Sequence, residues 1–421
     1  MSSRSRPPDA VEETLDRIED LLRELSPRVL GAVVRRYGHF DLSEDAVQEA
    51  MFAAVRQWPV EGVPLDPGAW LITVAARRLA DLFRSDQARR RREMEVTLRE
   101  ERLAPTADSP LSGDDSLVLL FLCCHPVLPV ASQIALTLRA VGGLTTAQVA
   151  RAFLTSEQTM TRRITRAKQA VSDAGAAFQM PSASELPDRL AAVLHVLYLI
   201  FNEGYATTSG PGLHRIELTI ESIRLTRLLR RQLPDEPEVG GLLALMLLTD
   251  ARRPARTDAA GRIVLLEDQD RSLWDADAVA EGLALVEEVL PRGPVGPYQL
   301  QAAIAAVHAE APSAETTDWP QIQALYDLLL RVSDTPVVRL NHAVAVAMTR
   351  GPRAGLQLLD RLRAEGKIRD DHRFHAVRAQ LLERAGRTEE ARAEYLRAAR
   401  DATSLPLQRY LNERAVGLTD K

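Results

Sequence analysis

Cysteine is almost absent from this chain of 421 residues. The two cysteines, Cys123 and Cys124, are adjacent, and neighbouring cysteines rarely form a disulfide with each other. The sequence therefore excludes a disulfide framework, which favours a reducing compartment, and we expect a cytoplasmic protein. A structural zinc site needs four ligands at suitable spacing. Because no second cysteine pair exists to complete a site with Cys123, Cys124 and His125, we expect no metal and no other cofactor.

Long hydrophobic runs are also lacking. The longest, Leu190–Phe201, contains His195 and is too short to span a bilayer, and the N-terminus has no apolar core that would suit a signal peptide. Aromatic residues make up only 5% of the chain, and Ala, Leu and Arg dominate. This composition favours packed helices over sheets. We therefore expect an all-α protein with no membrane partner.

Segments rich in turn-forming residues divide the helical pattern into blocks, as suits a chain long enough for two to four domains. We predict helical domains at 11–98, 117–178 and 188–421. Residues 99–116 lack helical periodicity and contain Pro, Gly, Ser and Asp, so we predict a linker there. The net charge of −5 does not announce a nucleic-acid binder, but arginines cluster at 77–92 and 162–168.

The last block carries hints of an internal helical repeat. The segment RAGRTEEARAEYLRAA resembles the second half of a tetratricopeptide repeat, with Tyr395 and Ala398 at packing positions. Predicted turns at Gly351 and Gly386 lie 35 residues apart, close to the period of such repeats. The sequence leaves an irregular helical bundle with Ala-rich contacts as the alternative.

The segment Gly143–Val171 predicts two short helices with a tight turn, a helix-turn-helix. Thr145 and Ser156 are good N-caps, and Gln148 can complete a capping box with Thr145. One side of the second helix is an apolar stripe that we expect to be buried: Met160, Ile164, Ala167 and Val171. The opposite side carries polar and basic residues: Gln158, Thr161, Arg162, Thr165 and Arg166.

This polar face suits the major groove of DNA. An arginine can donate two hydrogen bonds to guanine, and a glutamine can bond adenine in the same bidentate way. Arg163 and Lys168 are better placed to contact phosphates, which fix position without reading sequence. The alternative is a solvated basic face on an ordinary helical hairpin.

Two helices of opposite charge are predicted upstream. Asp41–Ala54 has no basic residue and four acids: Asp41, Glu44, Asp45 and Glu49. Such a helix repels DNA and suits a basic protein surface, although taken alone it also fits a solvated face.

The second of these helices is predicted over Pro67–Glu93. Trp70, Val74 and Leu79 can pack, while several arginines project outward: Arg77, Arg78, Arg84 and Arg89–Arg92. Arginines beside an aromatic side chain suit single-stranded DNA, whose bases stack and whose phosphates need neutralising. A basic amphipathic helix also has other uses.

The order of these elements resembles the extracytoplasmic-function (ECF) group of sigma-70 family RNA polymerase sigma factors, over residues 11–176. The motifs on which the resemblance rests are SEDAVQEA, AWLITVAARRLADLFR and the helix-turn-helix. The resemblance implies a dissociable polymerase subunit, not an enzyme, that directs promoter-specific transcription initiation. Its partners would be the β′ and β subunits of core polymerase and promoter DNA.

The resemblance also implies three groups of site residues. Core polymerase would bind region 2 through Asp45, Gln48 and Glu49. Region 2 would melt and read the −10 element through Trp70, Arg77, Arg78, Asp81 and Arg84. Region 4 would read the −35 element through Ser156, Gln158, Thr161, Arg162, Arg163 and Arg166. The chain departs from the family at Arg77, where many relatives have Asn, and at Leu154, where the turn usually has Gly.

The remaining motifs resemble the ECF subgroup with a C-terminal tetratricopeptide-like domain. They read FLCCHP, YLIFNEGY, PYQLQAAIAAVHAEA, TDWPQIQALYDLL and LNHAVAVA. The resemblance implies that the extension regulates activity in place of a classical anti-sigma factor, with a regulatory protein or a ligand bound to it. Within FNEGY we expect Gly204 to end a helix at Glu203 as its C′ residue, and Glu203 is a weaker candidate for a binding role.

Two other functions remain open on sequence alone. One is a DNA-binding transcriptional regulator with a helical-repeat sensor domain that acts without replacing a sigma subunit. The other is a repeat scaffold whose basic helices bind acidic partners. The DNA-binding regulator would bind duplex DNA without polymerase and would not need the acidic or the Arg-rich helix upstream of the helix-turn-helix.

Overall fold

The fold is all-helical, as the composition predicts. A computed structural model of the protein describes residues 8–93, 115–207, 212–368 and 370–418. These residues form α-helices and short 3-10 turns, and the β-pairing seen among them is one isolated antiparallel bridge, Thr257–Ile263. None of the described helices has the length and apolar character needed to cross a membrane.

The chain divides into two compact units, Met1–Val196 and Leu197–Lys421. The helices that begin in the first unit are α1 (Pro8–Tyr37), α2 (Phe40–Glu61), α3 (Pro67–Glu93), α4 (Ser116–Cys123), α5 (Val130–Ala140), α6 (Thr146–Ala152), α7 (Glu157–Asp173) and α8 (Leu186–Tyr205). The remaining helices are α9 (Ile216–Gln232), α10 (Pro237–Asp250), α11 (Ala276–Val289), α12 (Pro297–Glu310), α13 (Trp319–Val332), α14 (Pro336–Arg350), α15 (Pro352–Ala364), α16 (His372–Arg384), α17 (Thr388–Asp401) and α18 (Leu405–Gly417). The predicted linker, 99–116, lies almost entirely outside the described residues; at its end Ser116 is buried and opens α4.

Helices α1, α2 and α3 pack against one another around an apolar core. Val33, Val47 and Leu71 are fully buried at their contacts because each lies on the apolar side of its helix. The bounds of α3 are those predicted for the Arg-rich helix. Near its start, the Trp70 ring packs edge-on against Trp58, with 5.5 Å between the ring centroids.

Helices α6 and α7 form the predicted helix-turn-helix, and both predicted caps are confirmed. The Thr145 hydroxyl accepts a hydrogen bond from the Gln148 backbone N–H at 3.1 Å, and the Gln148 side chain accepts one from the Thr145 N–H at 2.8 Å. The Ser156 hydroxyl accepts a bond from the Thr159 N–H at 3.2 Å. These bonds satisfy N–H groups that the first turn of a helix leaves without partners, so the sequence itself sets where both helices begin.

The turn between α6 and α7 holds a strained residue. Leu154 has a φ of 46°, in the left-handed region that glycine adopts without penalty. A side chain with a Cβ loses roughly 1–2 kcal/mol in this conformation. The Thr155 N–H donates to the Ala150 carbonyl at 3.0 Å, which closes the turn. The leucine therefore adopts the backbone conformation expected of the glycine it replaces.

The second unit contains helix pairs joined by glycine turns, as the repeat prediction requires. Helices α14 and α15 meet at Gly351 (φ 89°), and α16 and α17 at Gly386 (φ 72°). Ala391, Tyr395 and Ala398 are buried where α17 packs on α16. A loop at 311–318 separates two helices, since α12 ends at Glu310 and α13 begins at Trp319.

The prediction for Gly204 is wrong: α8 continues through it and ends at Tyr205. A Cβ on this residue would lie 2.6 Å from the backbone nitrogen of Thr219. The Gly204 carbonyl accepts a hydrogen bond from the Arg215 N–H at 2.7 Å. The glycine therefore permits close approach of the start of α9, and it does not serve as a helix stop.

Replacing Leu154 by glycine should stabilise the protein. We expect the free energy of unfolding to rise by about 0.5–1 kcal/mol, because removal of the Cβ strain outweighs the extra entropy of the unfolded chain. Urea denaturation measures the change. Leu154→Ala is the matched control: it also removes the exposed side chain but keeps the Cβ, so it should give no gain. Equal effects of the two substitutions would show that backbone strain is not the cause.

Candidate functional site

The predicted −35 residues form one face of α7. Ser156, Gln158, Thr161, Arg162 and Arg166 are exposed, and Arg163 is half-buried at the edge of the face. On the other side of the helix the predicted stripe is buried: Met160, Ile164, Ala167 and Val171. The helix can therefore pack on its own domain while offering hydrogen-bond donors to a groove.

The predicted −10 residues lie along α3. Arg77, Arg78, Asp81 and Arg84 are exposed, and Trp70 is half-buried. Two of the arginines have carboxylate partners: Arg84 pairs with Asp81 at 2.6 Å, and Arg78 pairs with Glu49 of α2 at 3.3 Å. The side chains of Arg89–Arg92 lie outside the described residues.

Sequence reasoning missed exposed apolar side chains in the last turn of α2 and in the loop that joins it to α3. Val60 is 84% exposed, and Leu65 is fully exposed just before α3 begins. Contiguous patches of exposed apolar side chains often mark interaction sites. The available signal was Pro59 in the last turn of α2 and two turn-forming residues between the helices, Gly62 and Pro64.

The acidic helix α2 does not present all four carboxylates to solvent. Glu44 is only 1% exposed. The Arg139 guanidinium donates to its Oε1 at 2.8 Å, and the Lys168 ammonium donates to its Oε2 at 3.1 Å. Burial raises the pKa of Glu44, but the two cations outweigh this and leave that pKa lowered, so the carboxylate is ionised. We call Glu44, Asp45, Arg139 and Lys168 the Glu44 cluster.

Lys168 is a correction to the sequence analysis, which placed it against phosphates. The side chain is buried and donates to Asp45 Oδ1 at 2.5 Å and to the Asp41 carbonyl at 3.2 Å. Burial lowers the pKa of Lys168, but the Glu44 and Asp45 carboxylates outweigh this and leave that pKa raised. Lys168 is therefore a charged partner of α2 in this arrangement and is not available to DNA.

The three predicted polymerase-binding residues differ in accessibility. Glu49 and Asp45 are equally exposed, each with 53% of its side chain accessible, and Asp45 lies beside Lys168. Gln48 is buried at 5% exposure, and its side-chain amide donates to the Arg139 carbonyl at 3.4 Å. Part of the predicted docking surface is thus covered by the second helical block, the predicted domain at 117–178.

The FNEGY segment is held by internal contacts. Glu203 pairs with Arg215 at 3.2 Å, and both side chains are nearly buried. The Arg256 guanidinium lies over the Tyr205 ring, 3.7 Å from its centroid. These contacts explain the charged and aromatic residues of the segment through packing of the second unit.

A cleft of about 190 Å³ lies elsewhere in the second unit. His308 and Trp319 pack edge-on at its wall with 5.3 Å between ring centroids. Burial lowers the pKa of His308 to about 4, and nearby arginines act in the same direction. Arg271, also at the wall, donates to the carbonyls of His308 and Ala311, which caps the end of α12.

The two cysteines are buried in the second helical block. The Cys124 sulfur lies 3.6 Å from the Thr137 hydroxyl, and burial raises the pKa of Cys124 to about 12. The thiol is therefore protonated and a poor metal ligand. Within the described ranges, no group of three or more His, Cys, Asp or Glu side chains is arranged to hold a metal ion.

Comparison with known families matches three parts of the chain. Residues 21–90 match sigma-70 region 2, and residues 119–171 match sigma-70 region 4. Residues 189–290 match a family of unknown function, DUF6596. The first two matches cover α2, α3 and the helix-turn-helix. Together they imply binding to core RNA polymerase and to promoter DNA.

Two relatives extend these matches. An uncharacterized protein of Rhizobium meliloti (strain 1021) is 45% identical over 390 residues, which is 91% of this chain and 92% of that protein. The ECF RNA polymerase sigma factor SigK of Mycobacterium ulcerans (strain Agy99) is 32% identical over 143 residues, which is 32% of this chain and 74% of that protein. No solved structure matches the chain. The chain therefore belongs to the ECF RNA polymerase sigma factors of the sigma-70 family, and it carries a helical extension after region 4.

Proposed function

We propose that this chain joins core RNA polymerase through side chains of α2, directs it to promoters through side chains of α3 and α7, and catalyses no reaction itself. One observation carries the assignment: α7 presents an exposed face of basic and hydrogen-bonding side chains opposite a buried stripe. Such a face fits the major groove, where every base pair shows a distinct pattern of donors and acceptors. Helices α2 and α3 supply the further contacts, to polymerase and to a melted strand.

The −35 element is assigned to the exposed face of α7. Arg162 is the foremost candidate for reading a base because its guanidinium is exposed and can form two hydrogen bonds to guanine. Arg163 lies half-buried at the edge of the face, which suits a phosphate. The two neighbouring arginines therefore have different proposed roles and give a matched comparison.

Arg162→Ala should relax the −35 preference and weaken promoter binding by about 1–3 kcal/mol. Arg163→Ala should weaken binding to all sequences alike and lower its salt dependence, because it removes one phosphate contact. Binding of polymerase holoenzyme to a set of promoters with single −35 substitutions measures both effects. An unchanged −35 preference in Arg162→Ala would remove this residue from the readers.

The melted −10 strand is assigned to α3 and the loop before it. Leu65 and Trp70 offer apolar surface around the start of α3, Val60 is exposed at the end of α2, and Arg77 and Arg78 are exposed further along α3. Unstacked bases pack on apolar and aromatic groups while arginines neutralise phosphates. Asp81 holds Arg84 at 2.6 Å, so Arg84 would exchange a carboxylate for a phosphate on binding.

Polymerase docking is assigned to α2 through Asp45, Gln48 and Glu49. Glu49 is the best residue to probe, because Asp45 also contacts Lys168 and Gln48 is buried. Substituting either of those would disturb the Glu44 cluster as well as the docking surface.

Glu49→Arg should weaken binding to core polymerase at least about tenfold, since it would place like charges together at a charge-complementary interface. Glu61→Arg is the control. It makes the same charge change at the exposed last residue of α2 and should have little effect on the affinity for core polymerase. Direct titration of core polymerase gives both affinities. Equal affinities of Glu49→Arg and the unaltered chain would contradict the docking assignment.

The helical extension is assigned a regulatory role, through a partner protein or a ligand. The support for this role is the second unit itself, which is a set of stacked helix pairs. The unit also contains the cleft that is lined by His308 and Trp319. Stacked helical repeats form extended surfaces that serve as binding sites.

Deleting the chain from Pro187 onward should change run-off transcription by core polymerase. The cut also removes Arg189, whose guanidinium donates to the Phe121 carbonyl at 2.5 Å within the first unit. A variant that ends after Tyr205 keeps α8 and this contact, so it isolates the effect of the extension. Identical transcript levels from the full chain and from both shortened forms would indicate a passive extension.

A second candidate is a DNA-binding regulator that acts without joining polymerase. One observation favours it: the reading face of α7 is exposed while Gln48 on the docking surface is buried. The same run-off assay separates the two, because only a sigma subunit makes core polymerase start at a promoter.

A further inference from the structure

The Glu44 cluster joins two parts of the chain that are far apart in sequence. Glu44 and Asp45 lie on α2, while Arg139 lies on α5 and Lys168 on α7. Every ion pair in the cluster therefore links the first helical block (residues 11–98) to the second (residues 117–178). Two further hydrogen bonds also link the blocks: Lys168 donates to the Asp41 carbonyl, and Gln48 donates to the Arg139 carbonyl.

Each block also has a core of its own. Leu71 and Leu79 of α3 are buried against α1 and α2, and Phe121 and Leu136 are buried within α4 and α5. The contact between the blocks is thus an interface between two packed bodies, which includes the Glu44 cluster and the packing of α1 against α4 and α5. An interface of this kind can open without unfolding either body.

The energetics of buried ions suit a contact that opens. Bringing charges out of water costs about as much as their attraction returns, so a buried pair adds little net stability while it fixes a single geometry. If the blocks separate, Glu44, Arg139 and Lys168 all regain water. A competing partner therefore has a small free-energy difference to overcome.

The contact covers part of the surface assigned to polymerase. Gln48 is buried beneath the second block, and Asp45 Oδ1 is held by Lys168 at 2.5 Å. A cleft of about 180 Å³ beside Gln48 is lined by Met51 and Phe52 of α2 and by Thr145 of the second block. The exposed face of α7 is not covered.

We propose that the Glu44 cluster is an autoinhibitory latch: in the free chain, Arg139 and Lys168 hold the second block over the polymerase-binding side of α2, and core polymerase displaces them. This inference rests on the proposed function, since it concerns regulation of the docking surface. It requires that polymerase binding and the Lys168–Asp45 contact exclude each other.

Zero-length carbodiimide crosslinking of the full chain tests the latch. The chain has only three lysines, Lys168, Lys367 and Lys421, so every lysine-to-carboxylate amide can be assigned by mass spectrometry. We expect the free chain to form an amide between Lys168 and Asp45 or Glu44, and this amide to disappear when core polymerase is saturating. Lys367 lies 2.6 Å from Glu365 in the second unit, and its amide is the internal control that should not change.

The outcomes are distinct. Failure of the chain to bind polymerase, measured separately by co-elution, would count against the proposed function. Absence of the Lys168 amide in the free chain, when the Lys367 amide forms, would overturn the latch. An undiminished Lys168 amide in the saturated complex would overturn it too.

A substitution gives a second, independent readout. Lys168→Met should raise the apparent affinity for polymerase by the reciprocal of the open fraction, about tenfold if a tenth of the free chain is open. Lys367→Met is the matched control and should leave the affinity unchanged. An unchanged or lower affinity of a folded Lys168→Met variant would contradict the latch, and the crosslinking result stands even if that variant does not fold.

Discussion

The burial of one carboxylate governs how the first unit is arranged. Glu44 is almost inaccessible to water and has a cation at each oxygen, Arg139 at 2.8 Å and Lys168 at 3.1 Å. A buried charge without a partner is strongly destabilising, commonly by about 3–5 kcal/mol when one member of a pair is removed. The packing of α2 against the second block is therefore tolerable only in the register that supplies both cations. The cluster sets the geometry of the unit more than it adds to its stability.

Local features of the fold could be predicted because their causes are local. The caps at Thr145 and Ser156 depend on bonds that span three residues, and the buried stripe of α7 depends on helical spacing. The same holds for the bounds of α3 and for the glycine turns at Gly351 and Gly386. In each case the residues that determine the structure lie within one or two helical turns of each other.

The burial of Glu44 could not be predicted, because its partners are 95 and 124 residues away. Read alone, an acidic helix with alternating small residues is indistinguishable from a solvated face. Gly204 fails for the same reason: its role depends on the backbone of Thr219, which approaches it only in the folded unit. The prediction for Lys168 was wrong. Helical spacing correctly predicts the side of α7 on which Lys168 lies, but it cannot show which part of the protein packs against that side.

If the proposed latch operates, charge partition in the cluster would couple the two proposed interfaces. While Lys168 and Arg139 pair with carboxylates of α2, they make no contact with phosphates, and each phosphate contact that is missing reduces the salt-dependent part of DNA binding. Displacement of these cations by polymerase would return positive charge to the block that carries α7. Binding of one partner would then favour binding of the other, and by linkage the effect is equal in both directions. A chain with a net charge of −5 can in this way keep its affinity for DNA low until polymerase is bound, without any change in the exposed face that reads the sequence.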